Sequence, residues 1–199
     1  MKIVIIKYNA GNIESVNNAL NRLGVNAEIT AEPAKIRNAD KIIFPGVGEA
    51  STTMAYLREK GLDKLIVSLE QPVLGICLGL QLMCSYSEEN NTECLGIFDE
   101  KVLRFIPKPG EEFITKVPHM GWNAITNLKS KLFSEEIENQ YVYFVHSYFA
   151  GLGEHTIATC NYINPFSAAL QKDNFYATQF HPEKSGTVGT QILKNFINL

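Results

Sequence analysis

The sequence predicts a single α/β domain over residues 1–199, built on a mixed sheet that is mostly parallel with an antiparallel extension. Three observations predict it. In the first half, short apolar β-branched runs alternate with segments of helical periodicity. In the second half, strand-like segments follow one another with turns between them and no strong helix. The last stretch returns to helical spacing. Strand–helix alternation implies parallel strands, right-handed crossovers and helices on both faces, whereas strands joined by turns alone imply antiparallel pairing.

The elements follow in order. Residues 2–6 (Lys-Ile-Val-Ile-Ile) form a buried strand, and 12–23 a helix with Ile13, Val16, Leu20 and Leu23 on one face. Residues 27–30 are the second strand. Residues 41–44 are the third, stopped by Pro45-Gly46. Helices near 49–59 and 61–69 come next, then a strand at 72–76 and a helix at 78–86. Strand-like segments follow at 101–106, 113–117, 141–146, 156–162, 166–171 and 175–180. A helix over 187–198 carries Val188, Ile192, Leu193 and Phe196 at helical spacing.

Bulk properties exclude several function classes. Hydrophobic residues make up 45% and charged residues 20%, an ordinary globular balance. A net charge of −3 offers no basic excess for non-specific nucleic-acid binding. The apolar run at residues 3–6 is too short for a signal peptide or membrane span, so a cytoplasmic protein is expected. Among Cys77, Cys84, Cys94 and Cys160 no pair has C-x-x-C spacing, and no H-x-x-x-H or H-E-x-x-H occurs. No metal and no cofactor is expected, and reduced thiols leave one cysteine available as a nucleophile.

The most informative stretch is Pro72-Val-Leu-Gly-Ile-Cys77-Leu-Gly-Leu-Gln81, where a strand runs into a helix through Gly75-Ile-Cys-Leu-Gly79. This is the cysteine form of a nucleophile elbow. The sharp turn crowds the backbone, so small residues are needed on both sides, and Gly75 and Gly79 supply them. The side chain then projects at the carboxyl edge of the sheet, with the helix N-terminus favouring thiolate. A packed core cysteine in a glycine-flanked turn is the competing reading. Cys84 reads as a packed thiol within the same helix, and Cys94 and Cys160 as structural.

A thiol nucleophile needs a base. Of His119, His146, His155 and His181, the last follows a strand directly, and Pro182 stiffens the turn that carries Glu183. Glu183 is placed to orient the imidazole, a partnership worth roughly 100- to 10,000-fold in general base catalysis. A surface turn containing His and Glu is the plain alternative. His155 reads as a solvated loop residue. Oxyanion donors are expected from the N–H of Leu78 and from the Val47 peptide, which Gly46 and Gly48 leave free to turn. An ordinary strand-to-helix loop is the other reading of that segment.

Taken together, Pro45-Gly-Val-Gly48, Gly75-Ile-Cys-Leu-Gly-Leu-Gln81 and Gln179-Phe-His-Pro-Glu183 resemble the class I (triad) glutamine amidotransferases in order and separation. A narrower resemblance is to the glutaminase subunits of imidazole glycerol phosphate synthases. It rests on Tyr8 with Gly11-Asn12, Pro118-His-Met-Gly-Trp-Asn123, Tyr143-Phe-Val-His-Ser-Tyr148 and Lys184-Ser185. It covers essentially the whole chain and implies the class I amidotransferase fold, a flavodoxin-like mixed sheet.

The resemblance implies that Cys77 attacks the glutamine amide, His181 shuttles protons and Glu183 orients it. It implies Val47 and Leu78 as the oxyanion site. Gln81, Glu89, Gly48 and the backbone of His146, Ser147 and Tyr148 are implied to hold glutamine. Asn12, His119, Met120, Trp122, Asn123, Tyr143 and Lys184 are implied to lie towards a partner. That partner is a cyclase subunit with a (β/α)8 barrel, paired as a heterodimer and fed ammonia through a tunnel. A paralogue serving another synthase and an inactive subunit on the same fold are the alternatives. Lys7-Tyr8-Asn9 stands where the family often has Asp-Tyr-Gly, a departure that bears on pairing rather than chemistry.

Overall fold

The computed structural model describes residues 1–8, 12–110, 113 and 115–199. The first half comprises β1 (Ile3–Ile6), α1 (Ile13–Arg22), β2 (Glu28–Thr30), α2 (Pro33–Arg37), β3 (Lys41–Gly46), α3 (Ala50–Glu59) and α4 (Leu62–Val67). It continues with β4 (Val73–Cys77), α5 (Leu78–Met83) and the short strands β5 (Tyr86–Ser87) and β6 (Thr92–Glu93). Then come β7 (Lys101–Arg104), β8 (His119–Ala124), β9 (Tyr141–His146) and β10 (Tyr148–Ala150). The chain finishes with β11 (Thr156–Asn161), β12 (Pro165–Lys172), β13 (Phe175–Thr178) and α6 (Gly186–Asn198).

The main sheet has the order β11-β12-β13-β4-β3-β1-β2. From β13 to β2 every pairing is parallel, and β12 and β11 extend that edge antiparallel. Alternation along each strand divides the interior in two. Ile3, Ile5, Ile43, Leu74 and Ile76 face α1 and α6, which contribute Val16, Leu20, Ile192, Leu193 and Phe196. Val4, Ile6, Ile42, Phe44 and Val73 face the other side, with Met54, Leu57, Leu65 and Leu78 from α3, α4 and α5. Both faces are covered, as a parallel sheet requires. Two smaller sheets, β10-β7-β5-β6 and the β8-β9 pair, accompany the main one. No helix among the described residues is long and apolar enough to cross a membrane.

Several expectations need correction. Pro45-Gly46 does not stop β3: Pro45 pairs with Ile76 and Gly46 with Cys77. Proline is tolerated there because the β1 register ends at Ile5–Ile43, leaving that side of β3 without a ladder partner. Helix α5 ends at Met83 rather than residue 86, and Cys84 is extended, as the chain turns to make β5. The segment 113–117 shows no strand among its described residues. Residue 114 lies outside them, and the strand starts only after Pro118, as β8. Strand β8 was not expected because Gly121 and Asn123 break its apolar alternation. Helix α2, one turn begun by Pro33, was likewise not foreseen.

Candidate active site

The site grows from the end of β4. Cys77 closes that strand with φ 53° and ψ −107°, a strained conformation for a side-chain-bearing residue. The surrounding glycines are required by contact. A Cβ on Gly79 would lie 2.1 Å from the Phe44 carbonyl oxygen, and one on Gly75 would lie 2.9 Å from Met83 Sδ. Helix α5 therefore sits almost on the backbone of β3. Gly46 is also small because of crowding: a Cβ there would lie 2.7 Å from the Gly79 nitrogen. Gly48, on the other side of Val47, has φ 129° in glycine-only space and nothing beside it.

The turn after β13 brings in the other two residues. His181 Nδ1 and Glu183 Oε1 are 2.7 Å apart, and both side chains are buried. The backbone is pinned from both sides. His181 N–H donates to the Tyr143 carbonyl, and Ser185 Oγ donates to the His181 carbonyl while accepting from Tyr143 N–H. His181 Nε2 is buried with no hydrogen-bond partner in place. Burial alone would lower the His181 pKa. Charge at Cys77 comes next, and with Glu183 it pushes the value up to about 10. The arrangement can hold an imidazolium beside a thiolate, the resting state of an activated cysteine nucleophile.

The pocket around Cys77 is about 370 Å³, and Val47, Gly48, Leu78, Gln81, Glu89 and His181 line it together with His146-Ser147-Tyr148. Cys77, His181 and the expected oxyanion and substrate-binding residues thus share one cavity, while Glu183 reaches it only through His181. Gln81 is more committed than expected. Its Nε2 donates to the Tyr148 carbonyl at 2.8 Å and to Gln179 Oε1 at 3.1 Å, leaving only its own oxygen uncommitted. Glu89 accepts from Ala50 N–H at 2.7 Å, and burial raises its carboxyl pKa. Tyr8 is buried too, and its hydroxyl donates to the Pro45 carbonyl at the start of the Val47 loop. Burial, then charge at Cys77, raise the Tyr8 phenol so that it remains a donor.

Of the expected partner-facing residues, Met120 and Trp122 are 63% and 54% exposed. Trp122 stands edge-on to Tyr143, whose ring Lys184 approaches at 6.0 Å, so these form one surface patch. Asn123 spends its amide on the Asn161 carbonyl. Two residues do not fit. His119 is buried, its ring stacked on Tyr162 and Phe144 and bonded to His146, because its strand position points into the aromatic core. Asn12 has φ 69°, which turns its amide inward to donate to Glu183 Oε1 at 2.7 Å. Lys7 is exposed beside Tyr8, while Asn9 and Gly11 lie outside the described residues. His155 is not solvated as expected: it pairs with the buried Glu100. Cys84 and Cys160 are buried and Cys94 half-buried, and burial raises all three thiols.

Sequence reasoning assigned no role to Gln179 and missed the inward role of Asn12. Gln179 is fully buried, with Nε2 3.7 Å from Cys77 Sγ. A glutamine inside an apolar strand run was the available signal, since a buried amide needs partners.

Comparison with known proteins gives a consistent picture. The family model described as glutamine amidotransferase class-I matches residues 4–199. The imidazole glycerol phosphate synthase subunit HisH of Bacteroides fragilis (strain YCH46) is 62% identical over 199 residues, covering 100% of both chains. The HisH subunit of Escherichia coli (strain K12) is 44% identical over 201 positions, again covering 100% of both. Among solved structures, a glutamine amidotransferase superposes with TM-score 0.73 at 19% identity, covering 98% of this chain and 97% of that one. Another glutamine amidotransferase, from Thermotoga maritima, superposes with TM-score 0.64 at 17% identity, covering 100% and 83%. At these identities the structures speak to the fold alone.

Proposed function

From a chain that belongs to the class I glutamine amidotransferase family, we propose a glutaminase subunit of imidazole glycerol phosphate synthase. It is cytoplasmic and delivers ammonia to a cyclase subunit with a (β/α)8 barrel. The observation that carries the chemistry is the Cys77–His181–Glu183 arrangement in a pocket of amino-acid size. Full-length identity of 62% to a protein named for that synthase supports the choice of synthase.

The Cys77 thiolate attacks the side-chain amide carbon of glutamine, and the carbonyl electron pair moves to oxygen. Leu78 N–H and the Val47 peptide receive that oxyanion, the latter once the loop has turned about Gly48. His181 gives its proton to the amide nitrogen, ammonia leaves and a thioester remains. Water then attacks, His181 takes its proton, and glutamate departs as the thiolate returns. Glu89 and the 146–148 backbone hold the amino-acid end of the substrate. The Met120, Trp122, Tyr143 and Lys184 patch docks the cyclase. Asn12, turned inward, donates to Glu183 and steadies the carboxylate that orients His181.

The test is glutamate release from glutamine by the chain alone, with the cyclase, and with the cyclase plus its ribonucleotide ligand. Strong stimulation only in the last condition is expected, because activity awaits the loop. Cys77→Ala should abolish turnover in every condition. Full activity in that variant would overturn the mechanism. A confirmed complex with no activity would mean an inactive protein on the same fold, and no complex would mean a different synthase.

A further inference from the structure

A directed chain of buried and half-buried hydrogen bonds reaches the Cys77 sulfur, whose thiol lies 3.9 Å from the Val145 carbonyl. Its anchor is the Tyr148 carbonyl oxygen, which can only accept. It receives His146 Nδ1 at 2.7 Å and Gln81 Nε2 at 2.8 Å. The Gln81 amide is thereby oriented, and its second N–H points to Gln179 at 3.1 Å. The atom receiving it must be the Gln179 oxygen. The Gln179 nitrogen is then the atom 3.7 Å from Cys77 Sγ. Turning that amide over would oppose two donors and aim a carbonyl oxygen at the sulfur. The same logic runs upstream. With its Nδ1 hydrogen given to Tyr148, His146 offers Nε2 as an acceptor, and His119 Nδ1 donates to it at 3.1 Å. Burial keeps both rings neutral, with pKa values lowered to about 4 for His119 and about 3 for His146.

We infer that Gln179 is a catalytic hydrogen-bond donor to the Cys77 thiolate, held in its donating orientation by Gln81 acting as a positioning residue. The inference rests on Cys77 being the nucleophile. In the resting enzyme the N–H stabilises the sulfur charge together with His181. In the second half-reaction the carbon–sulfur bond breaks and its electron pair returns to sulfur. The same N–H receives that charge, so Gln179 assists the thiolate as leaving group. Gln81 thus acts behind the sulfur through its amide nitrogen, while its oxygen stays uncommitted at the pocket wall.

The experiment is the pH dependence of Cys77 alkylation by iodoacetamide in the full chain, read at that residue by peptide mass spectrometry. His181 and Tyr8, the titratable groups coupled to Cys77, are retained in every variant. Gln179→Met, which keeps the bulk and loses the N–H, should move the alkylation midpoint up by about one pH unit. Gln81→Met should move it up by less. A folded Gln179→Met with the wild-type midpoint would overturn the inference. If that variant does not fold, Gln179→Glu carries the test, since it keeps the oxygen facing Gln81 and should raise the midpoint further. The underlying reading fails separately, through glutamine hydrolysis surviving in Cys77→Ala.

Discussion

Glu183 Oε1 accepts from two donors, His181 Nδ1 and Asn12 Nδ2, each at 2.7 Å. Hydrogen bonds to a charged group contribute about 1.5–3 kcal/mol, so losing the Asn12 amide should lower kcat roughly 10- to 100-fold. Asn12→Gly is the cleanest variant because it accepts the left-handed backbone at φ 69°. Steady-state glutaminase assays with the cyclase bound should show the loss in kcat, with KM nearly unchanged. Asn12→Asp should lose more, since it sets a second carboxylate beside Glu183. At this scale the motif residues were legible because each has a local sequence signature. Asn12 and Gln179 were not. Their partners lie 171 and 102 positions away, and only the folded chain brings them together.

Helix α5 illustrates how an element can be specified by what it lacks. It is six residues long and wholly buried, and Gly79 gives it access to the β3 backbone. Gly79→Ala would press a methyl group into the Phe44 carbonyl at 2.1 Å, too close for small shifts to relieve. We expect a loss of at least about 2 kcal/mol, or no soluble protein, in urea unfolding. Gly48→Ala meets no atom and should melt much closer to wild type, yet it should lose turnover because φ 129° resists a side chain. Strands and helices with clean periodicity were legible in the sequence. Strand β8 was not, because Gly121 and Asn123 break its alternation, and its buried residue is the polar His119 while Met120 and Trp122 stay exposed. The Pro45-Gly46 pair misled for a related reason, since turn residues and close-packed strand ends share a composition.

At the scale of the molecule, the buried histidine pair predicts acid sensitivity. His119 and His146 have folded pKa values lowered to about 4 and about 3, below the ordinary 6.5. A depressed pKa gives stability that is whole above pH 6.5 and is lost as pH falls through the folded values. Between pH 6.5 and about 4 the unfolded chain binds two protons that the folded chain refuses. Each costs about 1.4 kcal/mol per pH unit. Urea unfolding across that window should show this slope, and His119→Phe should reduce it by one proton. An unchanged slope would remove His119 from the account. The fold class was legible at this scale because parallel and antiparallel halves differ in whether helices separate their strands.

The place of β13 in the sheet also bears on how the chain is made. It lies between β4 and β12, and the turn after it carries His181 and Glu183. During synthesis, β4 and the cysteine elbow leave the ribosome about a hundred residues earlier. Until β13 arrives, β4 has an open edge where its later neighbour belongs. The thiol is then without its imidazole and without the Gln179 amide. On the proposed mechanism the nascent chain should not hydrolyse glutamine, because the insertion of one late strand both closes the sheet and brings His181, Glu183 and Gln179 to the thiol.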